Sequence, residues 1–318
     1  MKIIGTGSSL PNRIVTNDDL AKIMDTSDEW ISSRTGIKSR HIAVEETTMS
    51  MSVEAAKKAL ESAKTNPEEL DLIIAATASA DDIVPTLACR VQAQLGATNA
   101  FAFDIGAACS GFMYAMAVAD AYFHTGRCKK ALLIGAETLS KLMDWTDRST
   151  CVLFGDGAGA VVVSAEENSL LSMVQGSDGA GGMALQGINR VTCNPFCDNE
   201  QVRDYVHMDG PAVYKFAVRT VPKAIREALA QANLTEEDVD YFLLHQANIR
   251  IIESVAGRLK QPMEKFPTNL EECGNVSAAS VPILLDQVCR EGLLKEGNIV
   301  VLAGFGAGLT WGACVLRW

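Results

Sequence analysis

Apolar positions along this chain change their spacing in an order that is then repeated. Ala55, Ala59, Leu60 and Ala63 fall at helical intervals, an acidic turn follows at Asn66-Pro67-Glu68-Glu69, and the run Leu72-Ile73-Ile74-Ala75-Ala76 is apolar throughout. The first pattern predicts an amphipathic helix, the last a strand buried on both faces. The same order returns 169 positions later without a gap. Ala224, Ala228, Leu229 and Ala232 lead to Thr235-Glu236-Glu237-Asp238 and then to Tyr241-Phe242-Leu243-Leu244-His245, with Asp71 matched by Asp240. Near the end of each half, Gly-x-Gly-Ala-Gly runs into a β segment, Gly155 to Val163 and Gly304 to Val315. One alanine-rich helix resembling another carries little weight. Helix, turn, strand and glycine motif in one order point to an internal duplication. The halves divide as 1–165 and 166–318, each a mixed α/β layer. No Ser/Pro-rich linker separates them, so they are expected to pack as one rigid body.

A further segment is apolar on nearly every face. It begins at Cys109 and runs to about Thr125, with Phe112, Met113, Met116, Val118 and Phe123. Such a helix belongs in the middle of a molecule, covered on all sides. Two sheets with buried helices between them would cover it. Ile299 to Leu316 carries no charge for 18 residues, near the length of a membrane span. Gly304, Gly306, Gly308 and Gly312, together with a β-branched start, make a buried β-hairpin the better reading.

Composition narrows the function. The chain has 318 residues, 48% of them hydrophobic and 21% charged, the profile of a globular protein with a large core. A formal charge of -11 argues against a nucleic-acid binder, which needs a basic face. The start, Met1-Lys2-Ile3-Ile4-Gly5, lacks the long apolar core of a signal peptide. Nine cysteines without a CxxC pair predict reduced thiols and a cytoplasmic location. Cys193 and Cys197 bracket a turn-like loop, but no further ligands accompany them, so no metal site is expected.

The segment Asp104-Ile105-Gly106-Ala107-Ala108-Cys109-Ser110-Gly111 joins a predicted strand to the buried helix. Its small residues permit a sharp turn and close backbone approach. Cys109 then stands at a helix start, where unpaired amides and the dipole favour a thiolate and lower the thiol pKa. The other eight cysteines read as buried and inert. His245 ends the repeated strand, at the carboxyl end where open α/β sheets carry their sites. His41, His124 and His207 read as ordinary core histidines. Asn275, in Cys273-Gly274-Asn275-Val276-Ser277-Ala278, occupies in half two the place of Gly106 to Ser110 in half one. An asparagine there is usually an N-cap, but the pseudo-twofold would bring it opposite Cys109.

Together, Ala108-Cys109-Ser110-Gly111, His245-Gln246-Ala247-Asn248, Gly274-Asn275-Val276-Ser277-Ala278-Ala279-Ser280 and Gly304-Phe305-Gly306-Ala307-Gly308 resemble the β-ketoacyl-acyl carrier protein synthase III family. The likeness runs from Asp28-Glu29-Trp30-Ile31 and Arg34-Thr35-Gly36-Ile37 to the final strand. It implies a thiolase fold, duplicated halves in an αβαβα core, and a homodimer. It implies that Cys109 accepts an acyl group from acyl-CoA, and that His245 and Asn275 promote decarboxylation of malonyl-acyl carrier protein. The amides of Cys109 and Ala307 would form the oxyanion hole, Ala307 standing where relatives can have glycine. Trp30, Arg34 and Arg148 would grip coenzyme A, while Gly210 and Asn248 line its tunnel. Lys215, Arg250 and Arg258 would form a basic patch for the carrier protein, thinned by Gly257 at one family position. Val84, Leu139, Phe154 and Leu185 would border the acyl pocket, Val84 reaching in from the dimer partner. No cofactor is implied, since the coenzyme A thioester is a substrate. A degradative thiolase would need a second cysteine in the terminal glycine loop, which Gly304 to Gly308 lacks. A ketosynthase or acyltransferase of secondary metabolism with a different starter stays open, as do a thioester hydrolase and a non-catalytic scaffold.

Overall fold

The computed structural model describes residues 1–165, 169–187, 192–200 and 204–318. Nine strands build two sheets. The first takes β1 (Lys2–Ser9), β2 (Leu72–Ala76), β3 (Phe101–Ile105), β4 (Lys130–Thr138) and β5 (Asp156–Ser164), in the order β1-β5-β4-β2-β3. The second takes β6 (Leu170–Ser177), β7 (Tyr241–Leu244), β8 (Ile299–Gly306) and β9 (Thr310–Arg317), in the order β7-β8-β9-β6. The pairing senses match. β5 runs antiparallel to both β1 and β4, and β2 is parallel to β4. Likewise β9 is antiparallel to β6 and β8, and β7 is parallel to β8. Among the described residues the second sheet has no counterpart of β3.

Six helices position the site: α1 (Asp28–Thr35), α2 (Thr48–Ala63), α3 (Gly111–His124), α4 (Gly210–Gln231), α5 (Ile249–Leu259) and α6 (Ser280–Arg290). One core cluster holds Phe112, Met113 and Met116 of α3 and Val281, Leu284 and Leu285 of α6. It also holds Leu133 of β4 and Leu302 of β8, so these helices form a layer between the sheets. Ala55 and Ala59 of α2 pack on the far side of the first sheet, while Ile225 of α4 and Ile252 of α5 cover the far side of the second. The result is the five-layer αβαβα thiolase fold. The continuous apolar runs Leu72–Ala76 and Tyr241–Leu244 are strands covered on both faces by helix layers, the first inside its sheet and the second at the edge of its own.

The repeat is realised residue for residue around the two central turns. Ala108–Ser110 and Ser277–Ala279 are both 3-10 turns, and each opens on a non-glycine residue in the left-handed region, Ala108 at φ 44° and Ser277 at φ 46°. The acidic turns are 3-10 turns too, Pro67–Glu69 and Glu236–Asp238.

The two glycine motifs are not equivalent. Gly304 to Gly306 closes β8, and the chain turns at once into β9. Gly157 and Gly159 instead lie inside β5, reached only after the long connection 139–155. The motifs match in sequence because both backbones pass close to a neighbour, at different points of the sheet. Nor is α3 covered all round. Gly111 to Met113 are buried, but Tyr122 and Phe123 near its end are only half-buried. They emerge beside the edge strand β3, where Tyr122 packs on Phe101 with ring centroids 5.3 Å apart.

Candidate active site

Cys109, His245 and Asn275 are buried, at 6%, 1% and 6% exposure, and line one cavity of about 120 Å³ with Phe305 and Gly306. Three different devices bring them there. Cys109 sits in the 3-10 turn that ends β3 and precedes α3. His245 continues β7, its amide donating to the Ala303 carbonyl at 2.8 Å. Asn275 is clamped at its backbone. Its amide donates to the Leu153 carbonyl at 2.9 Å, and its own carbonyl accepts from Gly155 at 3.0 Å.

Each side chain has a defined orientation. The Asn275 Oδ1 accepts from the Ser277 amide at 2.9 Å, leaving its NH2 group to donate into the cavity. The His245 Nδ1 lies 2.5 Å from the Ser280 hydroxyl, which also accepts from the Gln246 amide at 3.3 Å. With that amide on its oxygen, Ser280 is free to give its proton to Nδ1, which puts the imidazole hydrogen on Nε2. Phe305 packs edge-on against the ring at 5.1 Å. Gly306 has a steric role. A Cβ there would fall 2.8 Å from both Cβ and N of Cys109, so only glycine lets β8 come this close.

Burial sets the charges. It pushes the His245 pKa down to about 3, so the imidazole is neutral at ordinary pH. It pushes the Cys109 thiol up to about 12; the Ser277 side chain opposes that shift and the Glu137 carboxylate adds to it. The sequence reading expected the reverse for Cys109. Helix-start amides do favour a thiolate, but burial of the sulfur opposes it and favours the protonated thiol. Glu137 is itself fully buried, bonded by the Ser79 hydroxyl at 2.5 Å and the Ala78 amide at 3.1 Å.

The remaining expected residues fall into groups. Leu139, Phe154 and Leu185 line a second cavity of about 390 Å³ that also reaches Cys109 and Ala307. Val84 is not among its lining residues and stands 78% exposed beside Ile83 at 69%. Gly210 and Asn248 line the Cys109 cavity. Trp30 is sandwiched by two guanidinium groups, Arg34 at 4.8 Å and Arg148 at 4.9 Å from the ring centroid. Asn248 Nδ2 donates to the Arg34 carbonyl at 3.1 Å and Arg250 to the Ser33 carbonyl at 2.8 Å, fastening α1 to the start of α5. Lys215 is exposed on α4, on the stripe continued by Arg219 and Lys223. Arg219, Lys223, Arg226 and Arg258 border a surface groove of about 320 Å³. The sequence reading missed Arg219 and Lys223, although with Lys215 they follow at four-residue intervals that mark one helix face.

Some plainer expectations fail. Cys193 is exposed rather than buried. His124 and His207 are surface residues bonded to the Asp120 carbonyl and the Asp204 carboxylate, each at 2.9 Å. Among the described residues, no cluster of three or more histidine, cysteine or acidic side chains could hold a metal ion.

Comparison with known proteins is consistent along the whole chain. The 3-oxoacyl-[acyl-carrier-protein] synthase III family matches residues 103–179, and its C-terminal model matches 229–318. The β-ketoacyl-[acyl-carrier-protein] synthase III of Clostridium acetobutylicum is 48% identical over 320 residues, covering 100% of this chain and 98% of that protein. The crystal structure of the Aquifex aeolicus 3-oxoacyl-[acyl-carrier-protein] synthase III is 48% identical with a TM-score of 0.93, over 100% of this chain and 99% of that one. A priming β-ketosynthase from a polyketide pathway has the same TM-score of 0.93 but 37% identity, over 99% of this chain and 95% of that one. With identity near one half from end to end, the chain belongs to the β-ketoacyl-[acyl-carrier-protein] synthase III family.

Proposed function

We propose that this chain starts fatty acid synthesis by joining a short acyl group, carried by acyl-CoA, to the two carbons left when malonyl-acyl carrier protein loses CO2. The observation that carries this reading is the shared cavity of Cys109, His245 and Asn275, with the Ala307 loop beside it. Cys109 Sγ gives up its proton and attacks the thioester carbonyl. The N–H groups of Cys109 and Ala307 hold the oxyanion, and coenzyme A leaves with a proton. In the second half-reaction the malonyl carboxylate departs as CO2. Its bonding electrons form an enolate, whose oxygen is held by His245 Nε2–H and the Asn275 amide. The enolate carbon attacks the acyl-Cys109 carbonyl, and the sulfur leaves as a thiolate that regains its proton. Both donors are neutral and already aimed, so neither has to reorganise as charge builds.

Trp30, Arg34 and Arg148 hold the adenine and phosphates of coenzyme A, and Gly210 and Asn248 line the pantetheine arm. Lys215, Arg250 and Arg258 meet the carrier protein. Leu139, Phe154 and Leu185 bound the acyl group, and Val84 completes that pocket in a partner subunit. A homodimer accounts for the edge strand β3, where Phe101 is 43% exposed, and for exposed Ile83 and Val84. The two halves are 1–165 and 166–318. The reaction needs no metal or prosthetic group, and the protein works in the cytoplasm; no described helix is long and apolar enough to cross a membrane. A secondary-metabolism role is the weaker reading, given the lower identity to the polyketide enzyme.

The test is intact-mass measurement of the enzyme mixed with a panel of acyl-CoAs, followed by product analysis with malonyl carrier protein. Wild type should gain one acyl mass and then release a β-ketoacyl carrier protein. The Cys109→Ser variant should keep the fold and gain nothing. Free acid as the product would instead mean a thioester hydrolase.

A further inference from the structure

Two hydroxyl groups from opposite halves meet behind the oxyanion site, and the reaction as written gives them no part. Ser110 is fully buried, and its Oγ lies 2.8 Å from Thr310 Oγ1 and 2.8 Å from the Ala107 carbonyl. Thr310 Oγ1 lies 2.8 Å from the Ala307 carbonyl and 3.2 Å from that of Ala107. Each hydroxyl has one proton to give. If Ser110 donates to Thr310, Thr310 donates to Ala307. Ala107 is still satisfied, because it accepts from the Ser110 amide at 3.1 Å. If the direction reverses, Thr310 donates to Ser110, which donates to Ala107. In the first direction the chain runs through to the Ala307 carbonyl, and in either direction the Ser110–Thr310 bond ties the turn bearing Cys109 to the strand start that follows Ala307.

That link spans the two amides that must share one oxygen. The Cys109 amide belongs to the turn ending β3, and the Ala307 amide to the loop between β8 and β9. No backbone hydrogen bond outside the regular strands and helices joins these two turns. Their close approach is set by the bare backbone of Gly306 against Cys109. Van der Waals contact prevents the turns from closing further, but it does not prevent them from parting. The hydroxyl chain resists parting.

We propose that Ser110 and Thr310 are positioning residues that fix the gap between the Cys109 and Ala307 amides, and so the quality of the oxyanion hole during acylation. The inference rests on the assignment of Cys109 and Ala307 above. Neither hydroxyl touches the substrate; they act through the bond between them and the one carbonyl that the pair holds.

Valine matches threonine in shape and suits a strand, so Thr310→Val removes the hydroxyl alone. Stopped reactions with acyl-CoA, read as acyl-Cys109 by intact mass, give kcat and KM for acylation. Removing a whole oxyanion donor costs roughly a hundredfold or more; loosening the pair should cost about tenfold or more in kcat. KM for acyl-CoA should hardly move, because the coenzyme A contacts lie elsewhere. Thr310→Ser should restore the rate. Ser110→Ala should repeat the loss by an independent route, and serves if the valine variant does not fold. A folded Thr310→Val enzyme with wild-type kcat would overturn the proposal. So would a loss confined to KM, or a failure of Thr310→Ser to rescue. If wild type itself gains no acyl mass, it is the assignment of Cys109 that fails.

Discussion

Asn275 gives the cleanest division of the two half-reactions, because its Oδ1 is held by a backbone amide and its NH2 group is left to donate into the cavity. Asn275→Ala deletes the donor into the cavity and the acceptor of the Ser277 amide, while the backbone of the Cys109 turn keeps its own bond from Ser110 to Ala107. The variant should still form acyl-Cys109 but lose about a hundredfold or more in CO2 release from malonyl carrier protein. Trapped radiolabelled CO2 reads this directly. Normal decarboxylation with failed acylation would move Asn275 to the nucleophile's side. His245 makes a pH prediction. Its folded pKa lies near 3, against an ordinary unfolded value of about 6.5. Between those values the unfolded chain binds the proton and the folded chain does not, so this residue's contribution to stability is lost as pH falls through the window. Urea midpoints should drop from about pH 6.5 to about pH 4, and His245→Gln should drop less steeply. Equal slopes would mean that the imidazole is protonated in the folded protein. Ser277 and Ser280 belong to a motif that does not by itself assign them roles. Their partners are distant in sequence or set by turn geometry, and spacing alone does not reveal which atom a hydroxyl meets.

At the scale of elements, charge is concentrated on two helices of an acidic protein. Lys215, Arg219 and Lys223 follow one another along α4, and Arg258 joins them from α5 across the groove. The long-range field of a chain with charge -11 repels an acidic partner, so the proposed contact with the carrier protein is expected to depend on this local stripe. Arg250→Glu, or Lys215→Glu, should raise KM for malonyl carrier protein several-fold and make the salt dependence shallower, while acylation by acyl-CoA is spared. Arg250 also holds the Ser33 carbonyl, so Lys215→Glu is the variant free of that structural tie. Loss in both half-reactions with Lys215→Glu would show the stripe to be structural. Helix α3 teaches a related lesson. Its apolar composition was legible, but how much of it is covered depended on the edge strand beside it.

For the whole molecule, the cavity proposed to hold the acyl group should limit the starter. Its volume of about 390 Å³ lies near the lower end of roughly 300–1,000 Å³ for ligand sites, and Leu139, Phe154 and Leu185 narrow it. Acetyl or small branched acyl-CoAs should label Cys109 fastest; Val84, proposed to complete the pocket from a partner subunit, is smaller than an aromatic residue and would leave room for a branch. Preference for chains of about ten carbons or more would contradict this. The sequence by itself determined the repeat, the layer order it demands, and the types of residue at the site. Buried strands and helices announce themselves through apolar periodicity, which is a local property of the chain. It also carried Cys109, His245 and Asn275 as candidates, through motif and offset. Only the tertiary structure decided that one glycine motif closes a hairpin while its twin lies within a strand. It alone shows that burial works against a thiolate at Cys109, because burial depends on what surrounds the turn from both halves. Hydrogen-bond partners such as Ser110 and Thr310 stand 200 positions apart, and nothing local in either segment encodes their meeting.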